Sequence, residues 1–185
     1  MNKTAIFLAP EFEEIEALAV VDLLRRADIE IDMVSISVKY EVTGSHGITV
    51  YADRVWSEVN FEDIDMIILP GGPGTKRLEA CEPLLQQIKE FYKNGKYISA
   101  ICAAPSILGH LGMLKGRNAC SFPTYESQLE GAIVTQSQVE VSDHIITSRG
   151  MGCAIPFGLA IVERFKGKET AERLAEKIVF KKEEN

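Results

Sequence analysis

The sequence predicts an α/β fold in which helices cover both faces of a mostly parallel sheet. Short apolar runs typical of buried strands alternate along the chain with segments that have helical periodicity. Several of these runs end in loops rich in glycine or proline, as at residues 70–74. Because no repeat or linker interrupts the 185 residues, we predict a single domain over residues 1–185.

The N-terminal half opens with a strand, a helix and a second strand, at residues 3–9, 14–26 and 29–37. The strands are rich in apolar residues, whereas the apolar residues of the helix recur at close to helical spacing. A hairpin is predicted over 41–50, because glycines bound its turn at 44–47.

The C-terminal half continues the alternation. Its predicted elements are a strand at 66–69, a helix at 83–92, a strand at 97–101, a helix at 104–111, strands at 139–141 and 145–148 around a turn, and helices at 155–165 and 169–178. The charged tail at 181–185 is expected to fray.

Composition excludes several classes of function. The net charge is −7 and the basic residues are scattered, which argues against nucleic acid as the main partner. No apolar stretch is long enough to span a bilayer, and the apolar N-terminus is too short for a signal peptide, so we expect a cytoplasmic protein with no membrane partner. The four cysteines are widely spaced, which argues against a structural zinc site and predicts free thiols.

Cys102 is the most informative residue. An apolar strand ends before it and a helix is predicted after it, as in a nucleophile elbow. The small residues Ala100, Ala103 and Ala104 leave room for such a turn. The N-terminus of the helix would favour a thiolate. A buried structural cysteine fits the local pattern equally well.

Parallel α/β sheets place their sites at the carboxyl ends of the strands. Four loops follow strands in this way, and we expect them to meet at one edge. They are residues 10–16, 70–74, the turn at Cys102, and 148–152.

Acidic residues crowd the start of the first helix. Glu11, Glu13 and Glu14 are expected to be solvated and to favour the helix dipole. Glu16 lies among apolar residues and is the candidate to turn inward, where burial would keep it protonated. A neutral Glu16 could donate a hydrogen bond to a Cys102 thiolate, whereas an ionised one would repel it.

Backbone groups and histidines complete the candidates. The N–H groups of Gly72 and Ala103 are candidates for an oxyanion hole, although such glycines also simply permit tight turns. His46, His110 and His144 are poor candidates for a catalytic base: His46 lies in the hairpin turn, His110 is eight residues beyond the cysteine, and His144 lies in a turn and is expected to be solvated.

Four motifs together resemble the ThiJ/PfpI superfamily, in particular the branch of the human parkinsonism-associated protein and its bacterial relatives. They are Ala9-Pro10-x-x-Glu13-Glu14-Ile15-Glu16, Leu69-Pro70-Gly71-Gly72, Ala100-Ile101-Cys102-Ala103-Ala104-Pro105 and Thr147-Ser148-Arg149-Gly150-x-Gly152. The resemblance implies a flavodoxin-like three-layer sandwich, like that of class I glutamine amidotransferases, and a homodimer without cofactor or metal. It also implies that Cys102 is the nucleophile, Glu16 its carboxylic acid partner, and Gly72 and Ala103 the oxyanion donors.

The chain departs from this family at several positions. Phe122 stands where many members carry a histidine, although some bacterial members look similar to this chain. His46 falls where relatives often place an arginine from the partner subunit. Arg149 and Cys153 are further candidates at the edge of the site, although Cys153 is better explained as a small residue that starts a helix. Ala103 replaces the histidine of the peptidase-like branch, which disfavours a peptidase.

The resemblance implies a glutathione-independent glyoxalase, a lyase acting on methylglyoxal-type α-oxoaldehydes, or a deglycase that hydrolyses early glycation adducts. The alternative is a redox-sensing, chaperone-like stress protein whose Cys102 oxidises to sulfinate. A third, weaker alternative is a role in thiamine thiazole-phosphate biosynthesis, for which the sequence lacks a phosphate loop.

Overall fold

A computed structural model describes residues 3–181, so the predicted fraying of the tail concerns residues that lie mostly outside it, at 182–185. The strands are β1 (Lys3–Leu8), β2 (Glu30–Ser35), β3 (Glu41–Thr43), β4 (Thr49–Tyr51), β5 (Arg54–Val55), β6 (Met66–Leu69), β7 (Tyr97–Ile101), β8 (Asn118–Ala119), β9 (Ile133–Val134), β10 (Val139–Ser142) and β11 (Ile145–Ser148). The α-helices are α1 (Glu14–Arg26), α2 (Thr75–Glu79), α3 (Glu82–Lys93), α4 (Pro105–His110), α5 (Ala154–Lys166) and α6 (Lys168–Lys177).

The central sheet has seven strands in the order β10-β11-β7-β6-β1-β2-β5. Every neighbouring pair is parallel except β10 and β11, which form an antiparallel edge. Leu69 lies opposite Ala100, and Ile101 lies opposite Ser148, so β6, β7 and β11 end at the same level. The predicted mostly parallel sheet is therefore confirmed, and its loops meet at one edge.

Apolar side chains form a core on each face of the sheet, because neighbouring residues of a strand point to opposite sides. Leu8 belongs to the core beneath α1, α5 and α6, where Leu24 and Phe157 are fully buried. Phe7 belongs to the opposite core, with Ile88 of α3. Helices on both faces give the predicted three layers.

Local signals explain the helix that carries the acidic cluster. The Glu13 carboxylate caps α1 by accepting the Glu16 N–H at 2.7 Å, and two arginines occupy the last turn, where the helix dipole favours positive charge. Helix α4 begins at Pro105, one residue later than predicted, because proline suits the first helical position.

Several short elements were not predicted, namely β5, α2, β8, β9 and the 3₁₀ helices at Trp56–Glu58, Phe61–Asp63, Pro123–Gln128 and Met151–Cys153. Each has too few residues to show a period. None of the helices within residues 3–181 combines the length and apolar character needed to cross a bilayer.

Candidate active site

Cys102 occupies the sharp turn between β7 and α4. Its φ angle is 66°, in the left-handed region that costs a residue other than glycine about 1–3 kcal/mol. Two backbone hydrogen bonds hold this conformation: the Cys102 N–H donates to the Ser148 carbonyl at 2.9 Å, and the Cys102 carbonyl accepts from the Phe122 N–H at 2.9 Å. The structure thus has the strained strand-to-helix turn that the sequence predicts.

Glu16 is the inward-facing carboxyl. It is 1% exposed, its Oε2 accepts the Gly71 N–H at 2.9 Å, and it shares a hydrogen bond with the Cys102 thiol. Burial raises the pKa of Glu16 to about 7, and the nearby Glu13 charge adds to this effect. The hydrogen bonds from Cys102 and Gly71 oppose the increase without cancelling it. At neutral pH a substantial fraction of Glu16 therefore carries a proton.

The thiol and the carboxyl are coupled. Burial raises the pKa of Cys102 to about 12, and the charge of Glu16 contributes to the increase. The N–H groups of Gly72 and Ala103 lower the pKa of Cys102, because they face its sulfur. A proton on Glu16 removes the repulsion and leaves the thiolate facing these two donors. The N-terminus of α4 alone does not produce the low-pKa thiol expected from the sequence.

Glycine is required at position 71. A Cβ atom there would lie 2.6 Å from both Cys102 Cβ and Glu16 Oε2, and 3.0 Å from the sulfur. Gly72 follows with a φ of 86°, which turns its N–H toward Cys102. The glycine pair therefore lets the loop after β6 approach the thiol closely.

Phe122 lies at the rim of the site. Its ring carbon Cδ2 is 3.4 Å from the position that a Cβ of Gly150 would take, and Glu16 Oε1 is 4.0 Å from the same point. The Nη2 of Arg149 pairs with Glu126 at 3.4 Å, in the 3₁₀ helix that follows Phe122. Arg149 thus fixes the segment that carries the ring.

Glu14 is also buried, so the prediction that only Glu16 turns inward is wrong. Its side chain is 2% exposed. It accepts hydrogen bonds from the backbone N–H groups of His46 at 2.7 Å and Ile48 at 3.4 Å, and from the Ser45 hydroxyl at 3.3 Å. Burial alone would raise the pKa of Glu14, but these bonds and the His46 ring hold it at about 2. The glycine at position 44 is the one sequence signal of this burial, because a Cβ there would collide with the Glu14 carboxyl group.

His46 is exposed, as expected, with its side chain 70% accessible. Its Nδ1 lies 2.9 Å from Glu14 Oε2, and this contact raises the pKa of His46. Glu13, Glu14 and His46 are the group of possible metal ligands that residues 3–181 bring within 4.8 Å of one another. Since the Glu14 oxygens already accept hydrogen bonds from the loop, the group serves as an anchor for the hairpin.

The remaining candidates have partners other than Cys102 and Glu16. His110 pairs with Glu79 at the end of α4. His144 precedes β11, at the opposite edge of the sheet; it is half-buried against Tyr92, so the prediction that it is solvated is wrong. Burial lowers the pKa of His144. Cys153 caps α5 and lies close enough to Cys120 that its charge would help to raise the Cys120 pKa.

Known proteins resemble this chain over most of its length. The profile of the DJ-1/PfpI family matches residues 2–164. Protein DJ-1 homolog B of Arabidopsis thaliana is 34% identical over 97% of this chain, which spans 42% of that relative. Glutathione-independent glyoxalase DJR-1.2 of Caenorhabditis elegans is 32% identical, with 98% of each chain covered. The solved structure of oxidized Toxoplasma gondii DJ-1 is similar with a TM-score of 0.93 at 35% identity, covering 98% of this chain and 100% of that one.

Proposed function

Because the chain belongs to the DJ-1/PfpI family, we propose that it is a glutathione-independent glyoxalase or deglycase that uses Cys102 as its nucleophile. One observation carries the proposal. A buried carboxyl, Glu16, shares a hydrogen bond with a thiol held at a strained turn, and two backbone N–H groups face the sulfur. Such an arrangement supplies a nucleophile and a proton carrier in one small site.

The proposed reaction converts an α-oxoaldehyde and water into a 2-hydroxy acid. The Cys102 thiolate attacks the aldehyde carbon, a C–S bond forms, and the carbonyl oxygen takes the electron pair and then the Glu16 proton. The Glu16 carboxylate next removes the proton on that carbon, the electron pair moves toward the neighbouring carbonyl, and the oxygen of that carbonyl takes up the proton to give an enediol. The former aldehyde oxygen then gives its proton to Glu16 as it becomes the thioester carbonyl, and Glu16 passes this proton to the neighbouring carbon. The resulting thioester is hydrolysed by water, which releases the acid and regenerates the thiol.

The pKa of Glu16 suits each of these proton transfers. With a pKa of about 7, the carboxyl gives up and regains a proton near neutral pH at little cost. The N–H groups of Gly72 and Ala103 favour the thiolate once it forms, and an oxyanion role for them in the hemithioacetal stays a prediction. A deglycase uses the same attack on an early glycation adduct and ends with hydrolysis.

A homodimer belongs to the proposal. Ile15 on α1 and Ile48 beside β4 are each 52% exposed, and His46 lies in the same hairpin. Burying this apolar surface against a second copy would favour association and bring His46 close to a subunit boundary. A cytoplasmic location fits the four free thiols, all within the described residues.

A redox-sensing, chaperone-like protein is the second candidate, and Phe122 favours it. A phenyl ring transfers no proton, so turnover depends on Glu16 alone. In this function, two equivalents of peroxide each give one oxygen atom to the Cys102 sulfur and leave as water. The resulting sulfinate accepts a hydrogen bond from protonated Glu16.

The deciding experiment measures lactate formed from methylglyoxal without glutathione. We expect turnover in the wild type and its loss in Cys102→Ala and Glu16→Ala. Cys81→Ala is the matched control, since Cys81 is another half-buried free thiol, located before α3. No turnover in the wild type, together with selective oxidation of Cys102 by mild peroxide, would reject the enzyme in favour of the redox sensor.

A further inference from the structure

Backbone hydrogen bonds link Phe122 to Cys102. The Phe122 N–H donates to the Cys102 carbonyl at 2.9 Å, and the Phe122 carbonyl accepts the Tyr125 N–H at 2.8 Å. Pro123 begins the 3₁₀ helix, and the ion pair of Arg149 with Glu126 holds that helix from the other side. The backbone of Phe122 is therefore held beside that of Cys102.

The ring also shares one wall with the carboxyl. Phe122 and Glu16 approach the same face of Gly150, at 3.4 Å and 4.0 Å from its Cβ position. Phe122 is 44% exposed, so part of the ring packs against protein and part is open to a ligand. A molecule that reaches Cys102 beside Glu16 passes an apolar aromatic surface.

We propose that Phe122 is a specificity-determining residue that contacts the substituent R of an R–CO–CHO substrate and makes the site prefer aryl over methyl substituents. The polar end of the substrate meets Cys102, Glu16 and the two N–H groups, so R extends toward the rim. An aryl group there gains an aromatic contact that methyl does not. The identity of the substrate as an α-oxoaldehyde rests on the proposed function, whereas the preference for an aryl group near Cys102 does not.

Two assays test the preference separately. The first compares kcat/KM for phenylglyoxal with that for methylglyoxal. The second compares the alkylation of Cys102 by 2-chloroacetophenone and by chloroacetone, in which the thiolate displaces chloride, a C–S bond forms and a C–Cl bond breaks. Each alkylation ratio is divided by the ratio measured for a free thiol in solution, so that only the contribution of the protein remains.

In Phe122→Ala we expect both aryl-to-methyl ratios to fall by about 3- to 10-fold, the range of one aromatic contact. The loss should be in KM for phenylglyoxal, with kcat for methylglyoxal little changed. Phe122→Leu keeps apolar bulk and should retain part of the preference. Val134→Ala is the control, because Val134 is 43% exposed but lies on β9, and both ratios should match the wild type.

Unchanged ratios in a folded Phe122→Ala protein would overturn the proposal, and so would an equal fall of kcat for both aldehydes, which indicates a structural role. If Phe122→Ala does not fold, Phe122→His, a ring with a polar edge, must lower both ratios for the proposal to stand. If the wild type turns over neither aldehyde, the glyoxalase proposal fails, and the alkylation ratio still decides the role of Phe122.

Discussion

Replacing Glu16 with glutamine is the sharpest test of the coupled pair. Glutamine keeps an oxygen that accepts the Gly71 N–H, but it carries no negative charge beside Cys102. The variant therefore changes ionisation while it conserves size and the main hydrogen bond. The raised pKa of Glu16 determines whether the variant is more or less stable than the wild type, and over which pH range.

The magnitude comes from the shift of the Glu16 pKa from 4.5 to about 7, which corresponds to about 3 kcal/mol in favour of the protonated form. Between pH 4.5 and about pH 7, Glu16 has lost its proton in the unfolded chain but keeps it in the folded protein. The free energy of unfolding of the wild type consequently falls as the pH rises through this window. Glu16→Gln lacks this loss, so it should equal the wild type below pH 4.5 and exceed it by about 3 kcal/mol above pH 7.

Urea unfolding of both proteins at intervals from pH 4 to pH 8 measures this difference, in which contributions from all other groups cancel. The rate of Cys102 alkylation by iodoacetamide provides a second readout: at pH 8 the ionised Glu16 holds the wild-type thiol protonated, whereas the variant lacks this charge and should react faster. Glu11→Gln is the control, since Glu11 forms an exposed pair with Arg77. A difference in stability that does not vary with pH, or alkylation at pH 8 that is no faster in Glu16→Gln than in the wild type, would refute the reasoning.

Three further changes test other contacts. Gly71→Ala should lower the free energy of unfolding by about 2 kcal/mol and change the rate of Cys102 alkylation, because the added methyl collides with both reacting side chains; urea unfolding and alkylation measure this. Glu14→Gln should destabilise the protein by about 1–3 kcal/mol in urea, since it weakens the hydrogen bonds of loop 44–48, and should lower the His46 pKa measured by NMR. Native Cys120 should resist iodoacetamide at pH 8 and react in denaturant, as read by mass spectrometry, because burial raises its pKa to about 11.

Each of these predictions has an outcome that would contradict it. Gly152→Ala is the control for Gly71→Ala and should be nearly neutral, since within residues 3–181 no atom outside its own chain neighbours lies within 4 Å of its Cβ position, and an equal loss in both glycine variants would contradict the steric argument. A Glu14→Gln protein with unchanged amide exchange in loop 44–48 would show that the carboxylate does not hold the hairpin. Rapid labelling of native Cys120 would mean that its surroundings open to solvent.

The sheet and the cysteine turn could be predicted because their signals are local. The strand before Cys102 is a short apolar run, and Pro105 marks the helix start. The approach of four loops to one edge followed from the general rule for parallel sheets. Glu16 could be selected because apolar residues surround it in the sequence.

Glu14 and Phe122 could not be placed from the sequence in the same way. Glu14 has the same neighbours along α1 as a solvated acid would have, and its burial depends on a hairpin about 30 residues further on. The place of Phe122 depends on a backbone hydrogen bond to Cys102, which the sequence pattern of residues 118–124 does not predict. Both contacts join segments that are far apart in the sequence, so neither periodicity nor composition predicts them.

The hydrogen bond between Glu16 and Gly71 joins residues 55 positions apart, and the bond from Cys102 to Ser148 crosses to the next strand of the sheet. These contacts join α1, the loop after β6 and the end of β11, so they exist only where these segments are folded against one another. In an unfolded chain Cys102 has none of these partners, and its thiol is an ordinary cysteine. The chemical character of Cys102 is therefore a property of the folded protein, and loss of the fold removes it together with the structure.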